Sequence, residues 1–355
     1  MRIVITGASG NVGTALLRRL GAEPAHELVG VVRRPPAPAP PYDRVRWVRA
    51  DLSEPTSAAV LRQATQGADA VVHLAWGFQP SHVQAYLQRL GVEGTRRVIA
   101  AVQANGVPHL VHQSSVGAYS PKADDQPVDE GWPTGGVPSS PYSRHKSTAE
   151  HLLDQLLAGP DAPVVARMRP GVVGQRGAAS GLLRYGVPIL LPSQALRYLP
   201  LLPLDRSLAI PVVHADDVAD AIVRVLEQRA SGAFNLAADP PVTTELVAQV
   251  LGARAVHVPA AVVRAAASVA WHARLQQVDP GWLDLGFSVP LLDCGRAHRE
   301  LGWTPSQDAT RVLAEVVDGM QSHAHGTSAA LRERTVRSEV AALLRRGPVS
   351  RRRLS

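Results

Sequence analysis

Apolar residues in the first half of the chain fall into short, β-branched runs: Arg2 to Thr6, Leu28 to Val32, Val45 to Val48, Ala70 to Leu74, Leu110 to Ser114 and Val164 to Met168. Each is almost continuously apolar, as suits a strand covered on both faces, and longer patterns with helical spacing lie between most of them. That rhythm predicts a doubly wound α/β architecture, a parallel sheet with helices on both sides. The second crossover departs from it. Pro35, Pro36, Pro38, Pro40 and Pro41 remove backbone donors and disfavour helix, which predicts an extended loop. Beyond Gly174 the alternation breaks up, and Pro188, Pro192, Pro200, Pro203 and Pro211 punctuate apolar stretches expected to form a smaller C-terminal substrate lobe. The expected division is residues 1–174 for the doubly wound domain, its sheet completed by later segments, 175–320 mainly for the lobe, and 321–355 for a tail.

The 355 residues, 45% of them hydrophobic, are enough to bury a sizeable core. A single cysteine, Cys294, excludes an internal disulfide framework and a cysteine-rich zinc site. No metal is expected. The chain opens on a strand pattern rather than a leader, and no apolar run is long enough to span a bilayer, so the expected location is the cytoplasm. The net charge of +7 is unevenly placed. From Leu331 onward there are eight arginines against Glu333 and Glu339, which accounts for +6 of it. The remainder of the chain is nearly neutral, so the charge does not mark the folded part as a nucleic-acid binder. Val336, Val340, Leu343 and Leu344 sit at helical spacing in this tail, so a basic amphipathic helix touching an anionic surface or a partner stands beside the simpler reading of a solvated extension. Either way, a chain ending before Leu331 is expected to fold and turn over.

Two motifs carry chemistry. Thr6-Gly7-Ala8-Ser9-Gly10-Asn11-Val12-Gly13 lies between the first strand and a helix predicted to start near Asn11. Its glycines permit a tight turn and close backbone approach, and the helix N-terminus offers free N–H groups to a pyrophosphate. The second is Tyr142-Ser143-Arg144-His145-Lys146. Only Lys122 and Lys146 are lysines among 37 basic residues, so a chance Tyr-x-x-x-Lys match has odds of roughly one in thirty. At i and i+4 both side chains share one helix face.

With these motifs the chain resembles the extended short-chain dehydrogenases/reductases, the NAD-dependent epimerase/dehydratase family, from Met1 to about Val317. Further residues carry the likeness: Asp51-Leu52 after the third strand, Leu74-Ala75 after the fourth, Ser114-Ser115-Val116-Gly117-Ala118-Tyr119, Arg169-Pro170-Gly171, Val213-His214-Ala215-Asp216-Asp217, and Glu300-Leu301-Gly302-Trp303-Thr304-Pro305. The resemblance implies a Rossmann-type sheet with Ser115, Tyr142 and Lys146 as the catalytic set. It also implies a dinucleotide held by Gly7, Gly10, Asn11, Val12, Gly13, Asp51, Leu52, Leu74, Ala75, Tyr142, Lys146 and Pro170, and gives His214 a structural role. Ser115 would polarise a carbonyl oxygen while hydride reaches carbon, and Tyr142 would exchange the proton. A free phenol has a pKa of about 10, and a nearby ammonium and oxidised nicotinamide favour its phenolate.

The second strand ends on Val31-Val32-Arg33-Arg34, with no Asp or Glu before Asp43. An arginine there suits a 2′-phosphate, so NADP(H) is expected over NAD(H), with Arg33 as its partner. Val116 and Gly117 stand where a dehydratase of the family carries an Asp-Glu pair, and Ile210 stands where an epimerase usually carries an arginine. The lobe from Leu182 to Val213 is mostly apolar, as suits a small apolar carbonyl or alcohol. Arg184, Arg197 and Arg206 keep phosphate contacts open. Three functions remain: a reductase or dehydrogenase of such a substrate, a nucleotide-sugar epimerase, and a non-catalytic NADP-sensing regulator. A homodimer is open to all three.

Overall fold

The structure is a computed structural model and describes residues 1–22, 25–77, 82–179, 181, 198–273 and 278–333. Its first half runs β1 (Arg2–Thr6), α1 (Asn11–Gly21), β2 (Glu27–Val32), β3 (Val45–Arg49), α2 (Ser57–Ala64), β4 (Ala70–His73), α3 (Gln84–Gln88), α4 (Gly94–Ala104), β5 (His109–Gln113), α5 (Pro141–Leu157) and β6 (Val164–Pro170). The second half runs β7 (Val172–Gly174), β8 (Leu201–Leu204), β9 (Ala209–His214), α6 (Ala215–Gln228), β10 (Gly232–Leu236), β11 (Ala238–Thr243), α7 (Thr244–Leu251), β12 (Arg254–His257), α8 (Ala260–His272), α9 (Pro280–Ser288), α10 (Gly295–Leu301) and α11 (Ala309–Gln321). Residues 33–44 form neither helix nor strand, as their prolines dictate.

Seven strands pair in parallel in the order β10-β6-β5-β4-β1-β2-β3. The strand order reverses at β1, so the loops beyond the carboxyl ends of β1 and β4 diverge and leave a crevice. Alternation along β1 shows why the runs are continuously apolar. Ile3 and Ile5 face a core built with Leu16, Leu17 and Leu20 of α1 and Val218, Ile222 and Leu226 of α6. Val4 faces the opposite core with Leu61 of α2, Val98 and Val102 of α4, and Leu153 and Leu156 of α5. Both faces of the sheet are covered.

The later segments do not form a separate block. β10 completes the main sheet beside β6, and α6 packs on α1. The later strands also form a three-stranded sheet, β11-β9-β7, and a pair, β12-β8. The Val213-to-Asp217 stretch bonds to the segment from Glu300 to Ser306: Trp303 Nε1 donates to the Asp217 carbonyl at 2.9 Å, and Ser306 Oγ to Asp217 Oδ1 at 2.6 Å. His214 caps α6, its Nδ1 accepting from the Asp216 N–H at 3.2 Å. Among the described residues no helix is long and apolar enough to cross a membrane.

After α11 the chain returns to the glycine turn. Ser328 is buried and its Oγ donates to the Ser9 carbonyl at 2.7 Å, while Leu331 is 5% exposed and bonded through its carbonyl to the Gly326 N–H at 2.8 Å. The boundary expected at Leu331 therefore falls on a buried side chain. Val336, Val340, Leu343 and Leu344 lie outside the described residues. Removing residues 334–355 is expected to leave the urea midpoint unchanged. Ending the chain at Thr327 also strips the buried leucine and the serine hydrogen bond, and is expected to cost about 2–4 kcal/mol. Equilibrium unfolding of the two truncations checks both.

Candidate active site

The turn from β1 into α1 is shaped by backbone contact. Gly7 has φ +73, and a Cβ there would stand 2.7 Å from the Ala75 nitrogen; one on Gly13 would stand 2.4 Å from the Gly7 carbonyl oxygen. Only glycine fits either place. The first turn of α1 has no acidic side chain, and its N–H groups lack intrahelical acceptors. These features fit a dinucleotide's pyrophosphate: a close-packed backbone, N–H donors and the positive end of a helix dipole. Asn11 fixes the helix start, its Nδ2 donating to the Val173 carbonyl at 3.0 Å while its Oδ1 accepts from Gln175 Nε2 at 2.6 Å.

α5 carries the second motif. Ser140 caps it, accepting from the Ser143 N–H, and Pro141 presets its first turn. Tyr142, Lys146 and Glu150 then follow at successive i+4 positions. Glu150 is fully buried. Its carboxylate accepts from Ser114 Oγ at 2.6 Å, Arg169 Nε at 2.8 Å and Arg167 Nη1 at 2.8 Å. Arg169 also donates to the Tyr119 hydroxyl oxygen at 3.0 Å, and Tyr119 donates to Asn235 Oδ1 at 2.7 Å. Burial pushes the Glu150 carboxyl up, but the bonds and charges of Arg169, then Arg167, with Ser114, outweigh it and hold the group at about 2.

Ser114 is thus committed to Glu150, whereas Ser115 shares a hydrogen bond with Tyr142. Ser115 Oγ also accepts from the Gly117 N–H at 3.0 Å, which fixes its rotamer. A Cβ on Gly117 would stand 2.9 Å from Tyr142 Cε1, so a side chain at this position would displace the phenol. Lys146 is 2% exposed and its Nζ donates to the Gln113 carbonyl at 2.7 Å. Burial drives Lys146 down to about 7, opposed by Glu150, and drives the Tyr142 phenol up to about 12, opposed by Ser115. Burial thus acts against the phenolate that a nearby ammonium and oxidised nicotinamide are expected to favour.

Glycine turn and helix face open onto one cavity of about 460 Å³. Gly7, Gly10, Asn11, Val12, Gly13, Leu74, Ser115, Tyr142, Lys146 and Pro170 all line it. Residues 3–237 match the NAD dependent epimerase/dehydratase family. The chain belongs to this family. An uncharacterized protein of Mycobacterium tuberculosis is 28% identical over 318 residues, 89% of this chain, and the chain spans 29% of that protein's length. The 2-alkyl-3-oxoalkanoate reductase of Stenotrophomonas maltophilia is 32% identical over 187 residues, 49% of this chain and 51% of the reductase. The solved structure of MoeE5 in complex with UDP-glucuronic acid and NAD superposes with a TM-score of 0.67 at 24% identity, covering 91% of this chain and 99% of that one. At that identity the likeness shows the fold. The family holds NAD-dependent reductases, epimerases and dehydratases.

Four residues expected at the family's cofactor site do not line this cavity: Arg33, Asp51, Leu52 and Ala75. Arg33 Nη1 donates to the Tyr86 hydroxyl at 2.5 Å at the end of β2. Asp51 Oδ1 accepts from the Ser53 N–H and hydroxyl, and Leu52 is packed in the core. Ala75 lies against Gly7. Arg206 is exposed and away from the cavity, and Arg184 and Arg197 lie outside the described residues. The cavity also takes in residues the motifs did not mark: Trp76, Gln175, Ile210, Trp282, Leu285, Val289 and Leu331. Trp76 follows Ala75 directly, so its position in the cofactor-lining segment was the available signal. Gln175 and Leu331 gave none.

Glu150 generates a pH prediction. Its folded value near 2 lies below the ordinary 4.5, so its stabilisation is complete above pH 4.5 and is lost as pH falls toward 2. The loss across that window is expected to be on the order of 3 kcal/mol. Glu150→Gln should flatten it and lower stability at neutral pH by about 3–5 kcal/mol, because buried guanidinium groups lose their counter-ion. Urea unfolding at a series of pH values checks both.

Proposed function

We propose that the protein is a reductase favouring NADP(H) that acts on the carbonyl of a small apolar ketone or aldehyde, with Ser115, Tyr142 and Lys146 as its catalytic set. The observation that carries this reading is the cavity wall. Trp76, Trp282, Leu285, Val289, Ile210 and Val172 line the same space as Tyr142, and Lys146 is the one charged side chain among the described residues lining it. A sugar nucleotide would bring a diphosphate that no described cation in the lining meets, whereas an apolar carbonyl needs only orientation and a proton.

Bound nicotinamide supplies the hydride. Ser115 Oγ donates to the carbonyl oxygen, and the phenol, held protonated by burial, gives its proton to the same oxygen as negative charge develops. The Lys146 ammonium, one turn along α5, stabilises the phenolate left behind. Arg33 supports the choice of NADP(H): Tyr86 holds its guanidinium at the end of β2, where the sequence offers no carboxylate to a ribose hydroxyl.

A screen of NADPH oxidation against apolar ketones and aldehydes, run beside a UDP-sugar epimerisation assay, tests the reading. Reduction of a carbonyl is expected, and epimerisation without reduction would overturn it. Tyr142→Phe should lower turnover by about 10²–10⁴-fold while NADPH still binds, since only the transferable proton is lost. Arg33→Ala should weaken NADPH binding by about tenfold or more and leave NADH binding little changed, measured by cofactor fluorescence. Equal losses would assign the discrimination elsewhere.

A further inference from the structure

Trp76 stands out once the cavity is known, because its indole meets both functional side chains of α5. The Lys146 Nζ lies 3.8 Å from the centroid of the Trp76 ring, over its face. The Tyr142 ring meets the same indole edge-on at 6.5 Å and 84°. Two of the groups near the ammonium, His73 and Glu150, are engaged elsewhere, while neither ring nitrogen of His112 has a hydrogen-bond partner. Both ring nitrogens of His73 are bonded, to Thr6 at 2.6 Å and Thr95 at 3.0 Å, and the Glu150 carboxylate is taken up by Arg167, Arg169 and Ser114. The Gln113 carbonyl and the indole face are thus the partners an almost fully buried ammonium has found.

The chain makes a seat for the indole. Residues Arg89–Glu93 form a π-helical turn between α3 and α4, a rare backbone form that concentrates at functional positions. Gly91 lies on that turn, and a Cβ there would stand 3.0 Å from Trp76 Cζ2 and 3.1 Å from Cη2. The extra residue of the turn and the missing side chain together admit the ring. His112 borders it edge-on at 6.4 Å.

We propose that Trp76 is a positioning residue for Lys146: its indole face, seated on Gly91, holds the ammonium on the helix face it shares with Tyr142. That Lys146 serves the reaction rests on the proposed function; the contact with Trp76 does not. The titratable groups around the ammonium are Tyr142 and Glu150 from α5, His73 from β4 and His112 from β5. On the π-helical turn Arg89 is exposed and Glu93 pairs with Arg96 at 3.4 Å. Burial keeps both histidines neutral, His73 at about 3 and His112 well below its ordinary value.

The two-lysine composition makes a direct test practical. Full-length protein labelled with ¹³C and ¹⁵N only in lysine gives side-chain signals for Lys122 and Lys146 alone. The Lys146 ε-methylene protons are expected upfield of those of Lys122 through the indole ring current, and to titrate near neutrality. Trp76→Leu should abolish the upfield shift and lower the Lys146 pKa, with roughly a three- to thirtyfold increase in its acid dissociation constant. Trp76→Phe should restore most of both. With a reducible substrate in hand, the alkaline limb of the pH profile for reduction should move in step. An unshifted Lys146 signal in the wild type overturns the proposal. So does a Trp76→Leu pKa equal to or higher than wild type, or Trp76→Phe behaving like Trp76→Leu. Because the resonances are read without substrate, a failed reductase screen leaves this result standing, and an unperturbed Lys146 leaves the reductase reading standing.

Discussion

A carboxylate with no water around it must draw its hydrogen bonds from the protein, and Glu150 draws them from the end of β5 and from β6 at once. Arg169 extends the set through Tyr119 to Asn235 on β10, whose N–H donates to Glu130 Oε1 at 2.8 Å. A helix so tethered cannot rotate about its axis without uncovering charge. Tyr142 and Lys146 ride on the same face two and one turns before Glu150, so their direction is fixed by a cluster whose charged members lie outside the cavity lining. Held this way, the helix is oriented by an electrostatic anchor behind the wall, and groups within the wall need only set the side chains it carries.

The same separation accounts for the character of the cavity. Charge is stored behind β5 and β6, and the space itself is left to indoles, aliphatic side chains and one ammonium. In such surroundings a neutral phenol is favoured over its anion, and an ammonium is retained only where an aromatic face and a carbonyl oxygen share it. The proposed uncharged substrate rests on this lining, in a fold whose relatives include enzymes of sugar nucleotides.

Much of the sheet was legible because burial on both faces imposes a local pattern. The six runs from Arg2 to Met168 became β1 to β6, each within a residue or two of its expected ends, and Pro35 to Pro41 stayed free of helix. The glycine turn and the Tyr142–Lys146 pair were legible because their spacing is the geometry. Contacts between residues distant in sequence were not. The apolar β10 run could not announce that it pairs with β6, and Glu150 reads as one more polar helix residue until Arg167 and Arg169 are seen beneath it. Trp76 was only half legible: its place directly after Ala75 marked the position, not what the ring touches. An indole after a strand is ordinary core material, and only the π-helical turn carrying Gly91 shows which space it fills. The basic charge of the tail drew attention away from Ser328 and Leu331, which precede most of it.

The contact between Ser328 and Ser9 joins residues 319 positions apart in the chain. During synthesis the glycine turn leaves the ribosome 319 residues before the serine that closes over it. Domains generally fold as units while synthesis proceeds from the N-terminus, but here β1, α1 and their neighbours can assemble long before Leu331 exists. A nascent chain released early would carry a formed sheet and an uncovered turn, with that part of the cavity wall still unmade.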